Sequence, residues 1–168
     1  ELASQDMHIA GHVVDAERPL VVAVNKWDAV DGREDAAREW EERVRDRLRF
    51  AKQVPMVLIS AKSGQRVRVV LERVREVWAS AGIWVSTPDV NRWVERLGGA
   101  SDGRGVHVFY GTQKGVHPPR FLFFCNDPKA IHFSVRRYFE NSLRETFGFG
   151  ASPLRLEFRS RRTEKGTG

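Results

Sequence analysis

The sequence predicts an α/β protein built from two parts of different architecture. In residues 1–84, short apolar strands alternate with amphipathic helices, which is the order of a doubly wound sheet. The order in residues 85–162 is helix, strand, strand, helix, strand, which predicts a small α+β domain. Charge supports the same division, because residues 1–84 carry 14 basic and 14 acidic side chains. Residues 85–168 carry 14 basic and 8 acidic ones, so the net charge of +6 lies in the second part.

Each element of the first part is predicted from the spacing of its apolar residues. Apolar residues three or four positions apart, such as Trp40, Val44 and Leu48, predict helices with one packed side. The β-branched run before Asn25 is typical of a parallel strand that is buried on both faces. The predicted elements are a helix over 2–16, a strand at 20–24, a helix over 34–50, a strand at 54–59 and a helix over 65–80.

The alternation ends at "AGIWVSTP", where Gly82 and Pro88 interrupt the chain. A Gly-rich loop follows the first helix of the second part, and the last residues are polar and contain glycine. We therefore predict a disordered tail over 163–168. The predicted elements of the second part are a helix over 89–97, strands at 105–111 and 119–126, a helix over 131–146 and a strand at 153–159.

Composition excludes several classes of protein. The single cysteine, Cys125, cannot form an intrachain disulfide, which argues for a reducing compartment and against a secreted scaffold. No apolar stretch reaches the roughly 18 residues that a transmembrane helix requires. The first residue, Glu1, is not a methionine, so we expect that the front of a longer protein is missing.

Residues for metal or covalent chemistry are scattered. The five histidines have no metal-binding spacing, and one cysteine cannot complete a site, so no metal site is predicted. Ser60 and Ser152 have no evident base partner, so no nucleophilic catalyst is predicted either. Cys125 alternates with Phe121 and Phe123 on one strand face, which predicts a buried small apolar residue.

Polar motifs mark the ends of both strands in the first part. The run "LVVAVNKWD" ends on Asn25, Lys26 and Asp28, and the next strand ends on "SAK", residues 60–62. Ligands of parallel α/β sheets bind at the carboxyl ends of the strands. A carboxylate such as Asp28 can accept the two adjacent N–H donors of guanine, which adenine lacks.

Four residues of the two motifs have a role in such a site. Besides Asp28, the alkyl stem of Lys26 can lie over the base plane, and Asn25 can bond the base edge and brace the neighbouring loop. The backbone N–H of Ala61 can reach the guanine O6. One motif alone is a weak signal, because polar residues often close strands, but two motifs separated by one helix are much more specific.

These paired motifs resemble the fourth and fifth guanine-binding motifs of P-loop GTPases. The segment "QDMHIAGHVVDAERPLVVAVNKWD" resembles the end of the second G domain of the bacterial Der (EngA) GTPases, which have tandem G domains and a KH-like C-terminal domain. "PPRFLFFCND" and "GASPLRLEFRSR" resemble that KH-like domain. The resemblance covers roughly residues 4–162 and implies the C-terminal part of a doubly wound G domain, over 1–84, followed by a KH-like domain over 85–162.

The resemblance implies a cytoplasmic, ribosome-associated factor that hydrolyses GTP during assembly of the large (50S) ribosomal subunit. It also implies six guanine-binding residues, which are Asn25, Lys26, Asp28, Ser60, Ala61 and Lys62. It implies GTP or GDP as ligand, Mg²⁺ in the complete protein, and the large subunit, its ribosomal RNA and the upstream G domains as partners, with no membrane. Two alternatives are an RNA- or ribosome-docking module without nucleotide turnover and a structural α/β protein with fortuitous motifs.

Three departures from the pattern limit what this chain can do by itself. No G-x-x-x-x-G-K-[S/T] motif occurs, so no loop cradles phosphates and no Ser or Thr of that motif holds Mg²⁺. The switch segments and the Asp-x-x-Gly are also absent, so we predict no GTP turnover by this chain. Finally, "GTQKG", Gly111 to Gly115, is one residue too long for the G-x-x-G loop by which KH domains clamp nucleotides.

RNA contact is therefore expected from exposed arginines, although a basic surface that is merely solvated is the alternative reading. Leu154, Leu156 and Phe158 are predicted to alternate inward, which turns Arg155 and Arg159 outward. We interpret "RFLFFCN" as a strand buried on both faces, with one face against a neighbouring G domain, because no basic residue interrupts the aromatic run. The candidate RNA contacts are Arg137, Arg144, Arg155, Arg159, Arg161 and Arg162.

Overall fold

The protein is described by a computed structural model that covers residues 3–30, 34–97 and 105–161. Arg162 and the predicted tail over 163–168 lie outside these residues. The chain divides into two compact units. Unit 1 comprises Glu1–Ala81 and Gly150–Pro153, and unit 2 comprises Gly82–Phe149 and Leu154–Gly168.

Unit 1 has the predicted alternation of helices and strands. Its two strands pair in parallel, with Val22 opposite Met56 and Val24 opposite Leu58. The strands are shorter than predicted, and Ala23 is exposed, so the expectation of burial on both faces is wrong for the first strand. Its elements are α1 (Ser4–Asp15), β1 (Val22–Val24), α2 (Glu34–Arg47), β2 (Met56–Leu58) and α3 (Val67–Ala81).

A hydrophobic cluster in unit 1 forms around the apolar side of α2, which is the side that the sequence predicts to be packed. Val44 is fully buried and Leu48 is 4% exposed, and both pack with Ala10 of α1. Trp40 packs partly buried against this cluster. The narrow apolar stripe of α2 therefore joins α1 to the sheet and holds the strand ends in place.

Unit 2 has the predicted order α-β-β-α-β. Its sheet has the order β3-β4-β5, with β3 antiparallel to β4 and β5 parallel to β4. Helix α4 begins at a Ser86 cap, and α5 ends at Gly148 in the left-handed conformation, with φ of 75°. The elements are α4 (Thr87–Arg96), β3 (Val108–Gly115), β4 (Arg120–Cys125), α5 (Phe133–Phe147) and β5 (Arg155–Ser160).

Aromatic residues form the core between the sheet and the helices of unit 2. The rings of Trp93, Phe123 and Phe139 are fully buried or nearly so. Trp93 meets Phe139 edge-on, with ring centroids 5.2 Å apart, and its indole N–H donates to Ser142 at 3.0 Å. Cys125 is fully buried in the same cluster, so its predicted role as a small apolar core residue is confirmed.

Strand β3 is longer than predicted and includes Gly111 to Gly115, so "GTQKG" is part of a strand. A side chain at Gly111 would bring its Cβ within 2.3 Å of the Phe123 ring, so glycine permits this close pairing. Gln113 is buried, and its amide accepts from the Val85 N–H at 2.7 Å and donates to the Ile83 carbonyl at 2.9 Å. These bonds attach the segment before α4 to β3.

Candidate guanine edge and basic surface

Parallel pairing of β1 and β2 brings the two polar motifs together. The strand ends are joined by backbone hydrogen bonds, since Ile59 N–H donates to the Val24 carbonyl at 2.8 Å and Trp27 N–H to the Ile59 carbonyl at 3.0 Å. Residues 25–28 and 60–62 therefore leave the same edge of the sheet. We call this edge, with Asn25, Lys26, Asp28, Ser60, Ala61 and Lys62, the guanine edge.

Asn25 ties the two motifs to each other. Its side-chain oxygen accepts from the Lys26 N–H at 2.8 Å and from the Ala61 N–H at 2.9 Å. The first of these bonds accompanies a left-handed backbone at Lys26, with φ of 65° and ψ of 33°. The bond to Ala61 is the loop brace that the sequence predicts for Asn25. The sequence predicts that the Ala61 N–H contacts guanine O6, but in the structure this N–H donates to Asn25.

Ser60 holds the carboxylate of Asp28. Ser60 is buried, and its hydroxyl donates to Asp28 Oδ1 at 2.6 Å. The Ser60 hydroxyl oxygen in turn accepts from the Ser63 N–H at 3.2 Å. Asp28 itself is exposed, within the 3-10 turn Trp27–Ala29. Because the bond from Ser60 uses one lone pair of Oδ1 and none of Oδ2, the carboxylate can still accept two donors from a ligand.

The cationic residues of the edge, Lys26 and Lys62, are both exposed. Lys26 also borders a cleft of about 510 Å³ whose other walls come from α1, β1 and α2. Apolar side chains such as Met7, Val24 and Trp40 line that cleft. The guanine edge thus adjoins open space, and the alkyl stem of Lys26 has room to lie over a planar ligand.

The candidate RNA-contact arginines do not form one group. Arg155, Arg159 and Arg161 are exposed on or just after β5, and Leu156 is buried, as alternation along the strand predicts. Arg159 pairs with Glu157 at 3.1 Å. Arg137 is exposed on α5, where its guanidinium lies over the Phe133 ring at 6.0 Å. Arg162 lies outside the described residues.

Arg144 differs from the expectation. It is half-buried, and burial lowers the pKa of its guanidinium, an effect that the Glu140 carboxylate one helical turn earlier opposes. The prediction that Arg144 is exposed is therefore wrong. The helical period places Arg144 away from the apolar side of α5, but packing in the folded chain half-buries it. Tyr138 of the same helix is 51% exposed.

Sequence reasoning missed two residues near these arginines. Tyr110 and Arg120 lie on the sheet face that carries Arg155 and Arg159, as the strand register requires. The alternation of Arg120, Leu122 and Phe124 in the sequence indicates that these three share one strand face. Which residues of the neighbouring strands lie beside them is known only from the strand register.

Neither a metal site nor a membrane span is found in the part of the chain that the structure describes. No group of three or more His, Cys, Asp or Glu side chains is placed to hold a metal ion within residues 3–30, 34–97 and 105–161. In the same residues, no helix is both long enough and apolar enough to cross a bilayer.

Comparison with known proteins matches both parts of the chain. A family model described as the C-terminal KH-domain-like region of EngA bacterial GTPase enzymes matches residues 85–159. The chain is 38% identical to GTPase Der of Chloroflexus aggregans over 166 residues, which is 95% of this chain and 37% of that protein. Identity is 38% to GTPase Der of Syntrophobacter fumaroxidans, over 99% of this chain and 39% of the relative. It is 40% to that of Desulfitobacterium hafniense strain DCB-2, over 98% and 38%. The chain thus spans less than two fifths of the length of these curated relatives.

Proposed function

Because the chain belongs to the Der (EngA) GTPase family, we propose that its first unit recognises the base of GTP or GDP at the guanine edge. The proposal is supported by the hydrogen bonds that connect the residues of this edge to one another. Asn25 joins the two motifs through the Ala61 N–H, and Ser60 orients Asp28. A carboxylate held in this way is pre-organised for the paired donors of guanine, and each charge-assisted hydrogen bond contributes roughly 1.5–3 kcal/mol.

The other residues of the edge have supporting roles in this proposal. The stem of Lys26 covers one side of the base, and the exposed ammonium of Lys62 lies at the edge as a further cation. The Ala61 N–H reaches guanine O6 only by sharing its hydrogen with Asn25 or turning away from it, so we expect a small rearrangement of residues 61–62 when nucleotide binds.

For the complete protein, we propose GTP hydrolysis in the cytoplasm during assembly of the large ribosomal subunit. The chain described here carries base recognition without the P-loop motif. Phosphate contacts and Mg²⁺ therefore belong to residues outside this sequence, and we expect no turnover by this chain.

A second function is supported by charge. The net charge of +6 lies wholly in residues 85–168, and exposed arginines border β5. We propose that unit 2 contacts ribosomal RNA through phosphates, and this contact persists without nucleotide turnover. It requires no G-x-x-G clamp, because the attraction is electrostatic and independent of base sequence.

The guanine proposal is tested by Asp28→Asn in the complete parent protein. The substitution replaces one acceptor oxygen by an N–H donor, which faces a donor of guanine but matches the additional oxygen of xanthine. We expect affinity for GDP to fall at least about tenfold and affinity for xanthosine diphosphate to rise, measured by isothermal titration calorimetry.

Asp15→Asn, at an exposed carboxylate at the end of α1, is the matched control and should bind both nucleotides as the unchanged protein does. Equal GDP affinity in the Asp28→Asn and Asp15→Asn proteins would remove Asp28 from the base site.

A further inference from the structure

One side of the unit 2 sheet packs in the aromatic core of that unit, and the other side faces away from this core. Phe121, Phe123 and Leu156 point to that core and are buried. Because side chains alternate along a strand, their neighbours point to the opposite side. We call this side the open sheet face, and it carries Tyr110, Arg120, Leu122, Phe124, Arg155, Glu157 and Arg159. Leu122, in the middle of β4, is 8% exposed, so the exposed groups of this face lie around it.

Two aromatic rings stack on the open sheet face. Tyr110 of β3 lies opposite Phe124 of β4, with ring centroids 4.8 Å apart and planes at 28°. Tyr110 is 38% exposed and Phe124 is partly buried, so one ring of the stack presents a surface to solvent. Beside them, the Arg161 guanidinium lies over the Phe109 ring at 5.7 Å, and Phe109 is also exposed. The end of the face thus offers planar groups at the surface.

Basic residues border these rings from the neighbouring strand. The parallel register places Arg155 opposite Arg120 and Arg159 opposite Phe124. Glu157 lies between the two arginines of β5 and pairs with Arg159 at 3.1 Å. Arg159 therefore lies next to the stacked rings, and Arg120 and Arg155 form a second basic pair towards the other end of the same strands.

We propose that the open sheet face binds single-stranded RNA, with an unpaired base stacking on Tyr110, whose other side is supported by Phe124, and phosphates contacting Arg120, Arg155 and Arg159. The proposal rests on the RNA contact proposed above and names the class of RNA. Bases stack on aromatic rings with little regard to sequence, and a basic surface follows the backbone. A duplex offers phosphates but has its bases already stacked, so it gains nothing from the rings.

The test compares ring removal with ring retention in the 168-residue chain. Tyr110→Leu and Phe124→Leu keep apolar side chains but remove the aromatic faces. Each should weaken binding of a fluorescent single-stranded RNA of about 10 nucleotides at least about fivefold, by fluorescence anisotropy. Binding of a duplex of the same RNA should change less than about twofold. Tyr110→Phe and Phe124→Tyr retain the rings and should bind as the unchanged chain does.

The matched control comes from α5, which packs on the other side of the sheet. Tyr138→Leu also removes an exposed ring, since this side chain is 51% exposed, and should leave binding of both RNAs unchanged. Circular dichroism establishes that every variant is folded before its affinity is compared.

Several results would overturn the inference, and they separate it from the RNA contact on which it rests. If the leucine variants bind single strands normally while Arg155→Ala and Arg159→Ala lower the salt dependence, the phosphate contact stands and stacking is wrong. If the unchanged chain binds neither RNA at low salt, both proposals fail. If ring-retaining variants lose as much affinity as the leucine variants, stacking is not the cause. If the leucine variants keep their RNA affinity but differ from the unchanged chain in sedimenting mass, the open sheet face is a contact between protein chains instead.

Discussion

At the scale of single residues, the guanine edge contains two kinds of side chain. Asn25 and Ser60 each form two hydrogen bonds within the protein and so position their neighbours. Lys26, Asp28 and Lys62 are exposed and present their charges to solvent. Loss of a positioning residue should act through the geometry of Asp28, whereas loss of Asp28 removes the contact itself.

Glu140 provides a residue-scale prediction about pH. Burial raises the pKa of its carboxyl above the ordinary value of 4.5, and the nearby Arg144, Arg136 and Arg137 oppose part of that rise. The folded protein therefore holds this proton more tightly than the unfolded chain does. The resulting stability is fully present below pH 4.5 and is lost as pH rises through the folded pKa.

We expect the free energy of unfolding of the unchanged chain, minus that of Glu140→Gln, to decrease as pH rises from below 4.5 to neutrality. Urea unfolding at a series of pH values measures this difference. Glu145→Gln, at an exposed position of the same helix, is the control and should give a flatter curve. A difference for Glu140→Gln that does not vary with pH would contradict the raised pKa.

At the scale of elements, α3 has apolar residues repeating at helical spacing along one side, and this side is exposed. Val67, Leu71, Val74 and Trp78 are each more than one third exposed, and Leu71 reaches 57%. The buried residues of this helix are Val77 and Ala81 instead. A contiguous exposed apolar stripe of this kind is unusual and favours binding of apolar molecules.

Leu71→Lys should therefore lower the fluorescence of a hydrophobic dye bound to the chain by about half or more, because it places a charge in the middle of the stripe. Helix content should be unchanged, since lysine and leucine have similar helix propensities. Glu72→Lys, at an exposed position off the stripe, should leave dye fluorescence near that of the unchanged chain. Equal dye binding in both variants would show that the dye binds elsewhere.

Strand β3 shows how an element can be extended beyond its local signals. The two glycines of "GTQKG" predict a loop by composition, yet Gly111 and Gly115 both pair with β4. Pairing is favourable here because Gly111 admits the Phe123 ring and buried Gln113 has its amide satisfied. Tertiary contacts outweigh weak local propensity in such a strand.

At the scale of the whole chain, the uneven charge predicts RNA binding that depends strongly on salt. Neutralising phosphates releases counterions, so affinity falls as salt rises in proportion to the number of contacts. We expect Arg159→Ala, Arg161→Ala and Arg162→Ala together to flatten the slope of log affinity against log salt by up to about three counterion units.

The matched control for that experiment is the triple alanine variant of Arg38, Arg43 and Arg47. These arginines are exposed on α2, in the part of the chain with no net charge, and should leave the slope unchanged. Equal flattening in both triple variants would mean that total charge alone determines binding. No flattening in either would move the RNA contact away from the end of β5.

The sequence alone determined the order of elements, the placement of both polar motifs at strand ends and the burial of Cys125 with Phe121 and Phe123. These follow from local periodicity, since a strand alternates every two residues and a helix repeats every 3.6. The Asn25 and Asp28 assignments also came from their position at a strand end, whereas Ser60 was assigned through the family resemblance, and guanine binding by all three stays a prediction.

Only the tertiary structure decided which residues from different strands share a surface. The pairing of β4 with β3 and β5 places Tyr110, Phe124 and Arg159 side by side, and no local pattern contains that register. Packing likewise half-buries Arg144 and gives the Ala61 N–H to Asn25. The physical reason is that burial and register depend on contacts between segments far apart in the chain, whereas period and turn chemistry act over a few neighbouring residues.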